Sequence, residues 1–165
     1  GGHLRIEFRA LPAGPTVTDM LANAALAIGW TQALANDVDA FISKLPFTYA
    51  EYNFYRAAQQ GLDANILWPK PQQQNLEEVN IAKVISDLIP VAAEGLSQLA
   101  VDKSEIDRLL SVIENRLAQK QTGAIWQLNK VAEYEQQHNR ADSLNLMLAD
   151  YLNNMIQGEP VAFWK

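Results

Sequence analysis

Cysteine is absent from this 165-residue chain, and with it go disulfides, thiolate catalysis and every thiolate zinc site. Histidine is nearly absent too: His3 and His138 cannot make a His-rich metal centre. Charged residues are sparse at 19%, and the formal charge is −6. The thirteen Lys and Arg residues are scattered, without the clustered basic surface that nucleic acid requires. No apolar run approaches the length of a membrane span, and no signal-peptide pattern opens the chain. These absences predict a cytoplasmic protein with no nucleic-acid or membrane partner. Catalytic punctuation is missing as well. Ala13-Gly14-Pro15-Thr16 lacks the lysine and spacing of a phosphate loop, and there is no Gly-x-Ser-x-Gly elbow or His-Glu-x-x-His helix.

What is present is a hydrophobic fraction of 48%, enough for one domain with a real core. The chain opens on Leu4-Arg5-Ile6-Glu7-Phe8-Arg9, whose strict alternation predicts a strand. Leu4, Ile6 and Phe8 fall on one side, Arg5, Glu7 and Arg9 on the other, with charged neighbours about 6.6 Å apart. Such a face meets water, a partner or a polyanionic ligand, and water is the plainest of the three. The strand has no evident partner, because nearly everything after it reads as helix. A lone strand leaves its backbone groups unsatisfied, so the chain reads as part of something larger.

Thr16 with Asp19 marks a helix start, followed by Met20, Leu21, Ala24, Ala25, Ile28 and Leu34, whose alanines predict a close helix approach. Thr48-x-x-Glu51 has the form of a capping box, and Gly61 stands where that helix should end. Ile66-Leu67-Trp68-Pro69 reads as extended, and Lys70-Pro71-Gln72-Gln73-Gln74 as a mobile polar loop. Asn75-x-x-Glu78 predicts the next helix start, with Pro90 expected to kink or split that helix. Ser104 is expected to cap another, and Thr122-Gly123 separates it from the one holding Ile125, Leu128 and Val131. The last helix carries Leu144, Met147, Leu148, Tyr151, Leu152, Met155 and Ile156, stopped by Gly158 and Pro160. The expected fold is mainly α: an antiparallel helical bundle over residues 16–165, preceded by a strand and turn in residues 1–15.

The wording of the first segment adds to this. Leu4-Arg5-Ile6-Glu7-Phe8-Arg9, running into Ala-Leu-Pro-Ala-Gly-Pro-Thr and an alanine-rich helix, resembles the late Glu-x-Arg strand of the glutamate–cysteine ligase family, in particular its carboxylate–amine ligase branch. Asn53-x-x-Arg56-Ala57-Ala58-x-x-Gly61-Leu62-Asp63-Ala64, Gln121-Thr122-Gly123-Ala124-x-Trp126-Gln127 and Gly158-x-Pro160-Val161 continue it in order. The resemblance implies the C-terminal part of an ATP- and Mg²⁺-dependent ligase that joins glutamate to an amine such as cysteine through an acyl phosphate. It implies that residues 1–15 supply the last strand of a glutamine-synthetase-like catalytic sheet. Glu7 would then be a magnesium ligand and Arg9 a catalytic and ATP-facing group, with Arg5 helping on the same face. The family's other metal-binding carboxylates come from earlier strands, so this segment alone is expected to be inactive.

Other constellations read as structural. Phe47, Tyr49, Tyr52, Phe54 and Tyr55 could stack on a nucleotide base but are expected in the core, and Asn53 and Arg56 are expected to tie a helix to a sheet. Glu77-Glu78 and Glu133-x-Glu135 read as helix-start or surface acids, His138 as a helix junction, and Trp126 and Trp164 as anchors. The competing reading of the whole chain is a non-enzymatic helical module that docks through its exposed strand. Either way the isolated chain is expected to form a strand-mediated homodimer or to leave the strand loosely held. It is also expected to bind phosphate-type anions weakly through Arg5 and Arg9.

Overall fold

The computed structural model describes residues 2–3, 7–9, 11, 13–69 and 75–165. Among the described residues the chain is mainly helical, with one two-stranded sheet. Helix α1 spans Val17–Leu34, α2 Val38–Lys44 and α3 Phe47–Gln60. A 3₁₀ turn, Gly61–Asp63, leads into strands β1 (Asn65–Pro69) and β2 (Leu76–Asn80). Then come α4 (Ile81–Gln98), α5 (Lys103–Gln119), α6 (Gly123–Tyr134) and α7 (Arg140–Gln157), closed by a 3₁₀ turn at Val161–Phe163. No helix among the described residues is long and apolar enough to cross a membrane.

The core sits where α1, α4 and α5 meet. Ala22 and Ala25 face Ile89, Ala92 and Leu96, with Ile106, Leu109, Leu110 and Ile113 behind them. The approach of α1 to α4 is backbone on backbone. A Cβ added at Gly29 would stand 2.3 Å from the Ala92 carbonyl oxygen, and one at Gly95 only 1.8 Å from the Gly29 oxygen. Both helices bring their first turns to the C-terminal half of α5: Arg116 reaches Asp19 and Asn23, while Ala82 and Ser86 lie by Leu117 and Ala118. Thus α1 and α4 run the same way and α5 runs against both. The expected antiparallel bundle is corrected for the first pair. Residues 35–80 (α2, α3 and the hairpin) bring the chain back to the starting end before α4 begins.

Several local expectations give way to better-satisfied alternatives. Leu76–Asn80 is a strand rather than a helix start, because it pairs antiparallel with β1, Leu67 opposite Glu78 and Asn65 opposite Asn80. Asn80 then caps α4, its side chain accepting from the Ala82 N–H at 3.0 Å. The Thr48–Glu51 capping box does not form. Helix α3 starts at Phe47 behind Pro46, which already carries the backbone turn. Pro90 does not split α4, which continues unbroken to Gln98. Helix α5 starts after Asp102, which makes no side-chain cap, so Ser104 lies inside the first turn and does not cap the helix. Thr16, Thr122 and Gly158 do the terminal work expected of them, Gly158 in the left-handed region at φ 75°.

Several large apolar side chains on α1 and α7 face outward. On α1 the buried side is Ala22, Ala25 and Gly29, while Met20, Leu21 and Ile28 are exposed. On α7 Ser143 is fully buried, and Met147 and Tyr151 pack on Trp126, Val161 and Trp164. Leu144, Leu148, Leu152, Met155 and Ile156 remain exposed. The α3 aromatics Phe47, Tyr49, Tyr52, Phe54 and Tyr55 are exposed as well, contrary to the expected core role. The polar loop expected at 70–74 lies outside the described residues.

Candidate functional site

The candidate site begins with Glu7 and Arg9. They are not extended here: the Arg9 N–H donates to the Glu7 carbonyl at 3.1 Å, a tight turn in place of the expected strand. Two residues of alternation no longer separate the side chains. Arg9 Nε and Nη2 both donate to Glu7 Oε2, at 3.1 and 2.9 Å. The arginine side chain is 83% exposed and the carboxylate 71%, so water screens the pair and it adds little to stability. Leu4, Arg5 and Ile6 lie outside the described residues. Arg5 therefore has no observed place beside this pair.

A magnesium ion wants several oxygen ligands, and this segment presents one carboxylate whose nearer oxygen is already held by an arginine. Among the described residues no group of three or more His, Asp or Glu side chains could hold a metal. The residues present do not make a magnesium site on their own.

Eight residues downstream of this segment, the helix start builds a second acid–arginine pair that sequence reading identified only as a cap. Asp19 is fully buried. Its Oδ2 accepts from Thr16 Oγ1 at 2.7 Å and from the Val161 N–H at 3.1 Å, and its Oδ1 accepts from Arg116 Nη2 at 2.8 Å. Arg116 Nη1 donates to Asn23 Oδ1 at 2.7 Å. One carboxylate thus fastens the start of α1 to the end of α5 and to the C-terminal segment. A signal for it was present: Asp19 is the only charged residue between Arg9 and Asp37. A lone acid in an apolar helix is retained only with a partner, though the pattern does not say which.

Beside this hub is a cavity of about 370 Å³ between Gly14, Pro15, Asn23, Arg116, Gly123 and Tyr151. Burial, then the nearby Asp19 charge, pushes the Tyr151 phenol above its ordinary value. Arg116 Nε is buried and has no partner, but it is sealed from solvent, and the guanidinium charge is already met by Asp19. The hub holds the molecule together and leaves no surplus charge for a ligand.

The remaining motif residues also sit at joints. Asn53 clasps the Leu67 backbone from both sides, accepting from its N–H and donating to its carbonyl, each at 2.7 Å. Arg56 lies over the Tyr52 ring and pairs with Glu78. Gln121 Nε2 donates to the Val161 and Trp164 carbonyls at 2.7 and 2.8 Å, and Trp126 Nε1 to the Lys165 carbonyl at 3.1 Å. The paired acids are likewise occupied on the surface, Glu133 by Lys130 and Glu135 by Arg140. No protein-family model, curated protein or solved structure matches the chain.

Proposed function

We propose that this chain is the C-terminal segment of an ATP-dependent glutamate–cysteine ligase or related carboxylate–amine ligase, inactive as this segment alone. The observation that supports the reading is the use made of the residues that carry the resemblance. Asn53, Arg56, Thr122, Gln121, Trp126 and Val161 each fasten one element to another or start a helix. Residues spent on joints are what a shared scaffold would require. Glu7 and Arg9 differ: among the described residues their side chains pair only with each other, on the surface.

In this reading Arg9 orients and neutralises phosphate oxygens, with Arg5 beside it, and Glu7 contributes one oxygen to a magnesium site completed by carboxylates from elsewhere in the parent. Glutamate and an amine are the substrates and the setting is cytosolic. The test is glutamate- and amine-dependent ADP release by the longer polypeptide. Glu7→Gln and Arg9→Ala should each lower turnover by about 100-fold or more, with folding retained. Wild-type-like activity in both would overturn the assignment. Calorimetry on the chain alone should show MgATP binding no tighter than about millimolar.

A second reading, a helical module that binds another protein, is favoured by one observation. Five aromatic side chains on α3 are exposed, Phe47 to 80%, and aromatics anchor protein interfaces. The reading frame discriminates the two: upstream acidic strands support the ligase, a start near His3 the module.

A further inference from the structure

Helix α7 is packed on one side only. Among the described residues α6 is the one helix that runs along it, and the side chains α7 turns inward are Ser143, Met147 and Tyr151. Its charged residues, Arg140, Asp142 and Asp150, all belong to that side or to the helix start. Arg140 pairs with Glu135, Asp142 accepts from Asn139 Nδ2 at 2.7 Å, and Asp150 accepts from the Tyr134 hydroxyl. The outer side carries no charge, where a surface helix ordinarily carries most of its own.

That outer side has a pattern. Ala141, Asn145, Leu148, Leu152 and Met155 follow one another at spacings of four, three, four and three. This is the seam of a two-stranded coiled coil, with Asn145 and Leu152 in the a positions and the other three in the d positions. All five residues are exposed, Leu148 to 51% and Leu152 to 44%. Leu144 and Leu128 widen the face, lining with Val131 and Met147 a groove of about 380 Å³ between the two helices. Leu128 is 72% exposed.

We propose that this face binds the same face of a second copy, the two α7 helices running parallel about a two-fold axis. Asn145 carries the choice of partner. Across a parallel axis it meets the same residue of the second copy, and each amide donates to the other's oxygen. In an antiparallel pair it would face a d position, and Ala141, Leu148 and Met155 are all apolar, so the amide would be buried unpaired. The extent fits a weak dimer. The seam runs about 21 Å along the helix, on a face about 20 Å across where two helices lie side by side. Each copy therefore offers about 400 Å² in plan, the size of a reversible contact and not of an obligate one. Association should be micromolar or weaker. The contact uses neither Glu7 nor Arg9, and it holds whether or not the chain belongs to a ligase.

Sedimentation equilibrium from low-micromolar to near-millimolar chain is the test, and a monomer–dimer equilibrium is expected. Leu148→Glu sets two like charges against each other and should weaken it by about 100-fold or more. Leu99→Glu, at a site 47% exposed at the far end of α4, should leave it unchanged. Circular dichroism checks that both variants are folded. The absence of cysteine lets the register be read directly. An Asn145→Cys chain should form an intermolecular disulfide under mild oxidation about tenfold faster than a Leu99→Cys chain, because the parallel pair holds the two positions together. A chain that stays monomeric to near-millimolar concentration would overturn the proposal and leave the face to another protein or an upstream segment. Dimers indifferent to Leu148→Glu would place the contact elsewhere, and equal disulfide rates would exclude the parallel register. Either result overturns it as well.

Discussion

Two acid–arginine pairs have their carboxylates near the start of the chain, and their contact distances are almost the same. Glu7 and Arg9 meet at 2.9 Å, Asp19 and Arg116 at 2.8 Å. The first pair is 71% and 83% exposed, the second 0% and 15% in the order acid, arginine. Distance therefore says nothing about their importance, and surroundings decide it. The exposed pair trades water for a partner at near parity. The buried carboxylate has given up water entirely, and every lone pair it uses is matched by Thr16, Arg116 or Val161. One pair can be rearranged, and the other cannot be opened without opening the core.

The sharpest way to break the comparison is to truncate the buried pair. Arg116→Met strands the Asp19 carboxylate and should cost about 3–5 kcal/mol in urea unfolding. A loss below 1 kcal/mol would show that water enters the hub. Thr16→Val removes both the helix cap and a hydroxyl donor to Asp19, with an expected loss of about 1–2 kcal/mol in the same assay. Glu7→Gln and Arg9→Ala should each change the stability of this chain by less than about 0.5 kcal/mol. A larger change would mean that the exposed pair holds structure after all.

The smallest effect is a titration. Burial, then Asp19, raises the Tyr151 phenol, so the folded state keeps that proton longer than the unfolded chain, whose tyrosines ionise near pH 10. A raised folded value means that the contribution is complete below the unfolded pKa and is lost as pH climbs through the folded one. Stability should fall on the alkaline side for this reason. Asp19→Asn should let one tyrosinate appear at lower pH in ultraviolet titration, whereas Glu7→Gln should leave the profile unmoved.

Local signals were legible where one residue settles its own backbone. Thr16 and Thr122 accept from N–H groups three residues on, and Gly158 takes a left-handed turn; such chemistry needs no knowledge of the rest of the fold. The same logic misread Asn75-x-x-Glu78, because pairing with β1 satisfies that backbone more completely than a new helix would. Periodicity located the helices of α1 and α7 but not their inward sides. Both carry two apolar options, and on α1 the smaller set won because Ala22, Ala25 and Gly29 admit a closer neighbour. The hub was half legible, since Asp19 announced a need for a partner while Arg116 stands 97 positions away. Of the candidate site, the residue types of Glu7 and Arg9 were readable and their conformation was not, because an edge without neighbouring strands has nothing to keep it extended.

The contact between Gly29 and Gly95 also has a mechanical meaning. With no side chain interposed, the peptide planes of α1 and α4 bear directly on each other, and the joint has no compliant layer to absorb a small slide or roll. The two helices transmit displacement as a single beam. A load applied where the chain enters α1 is carried along it to Gln32 and Gln98, which meet across the beam's far end, with little lost on the way.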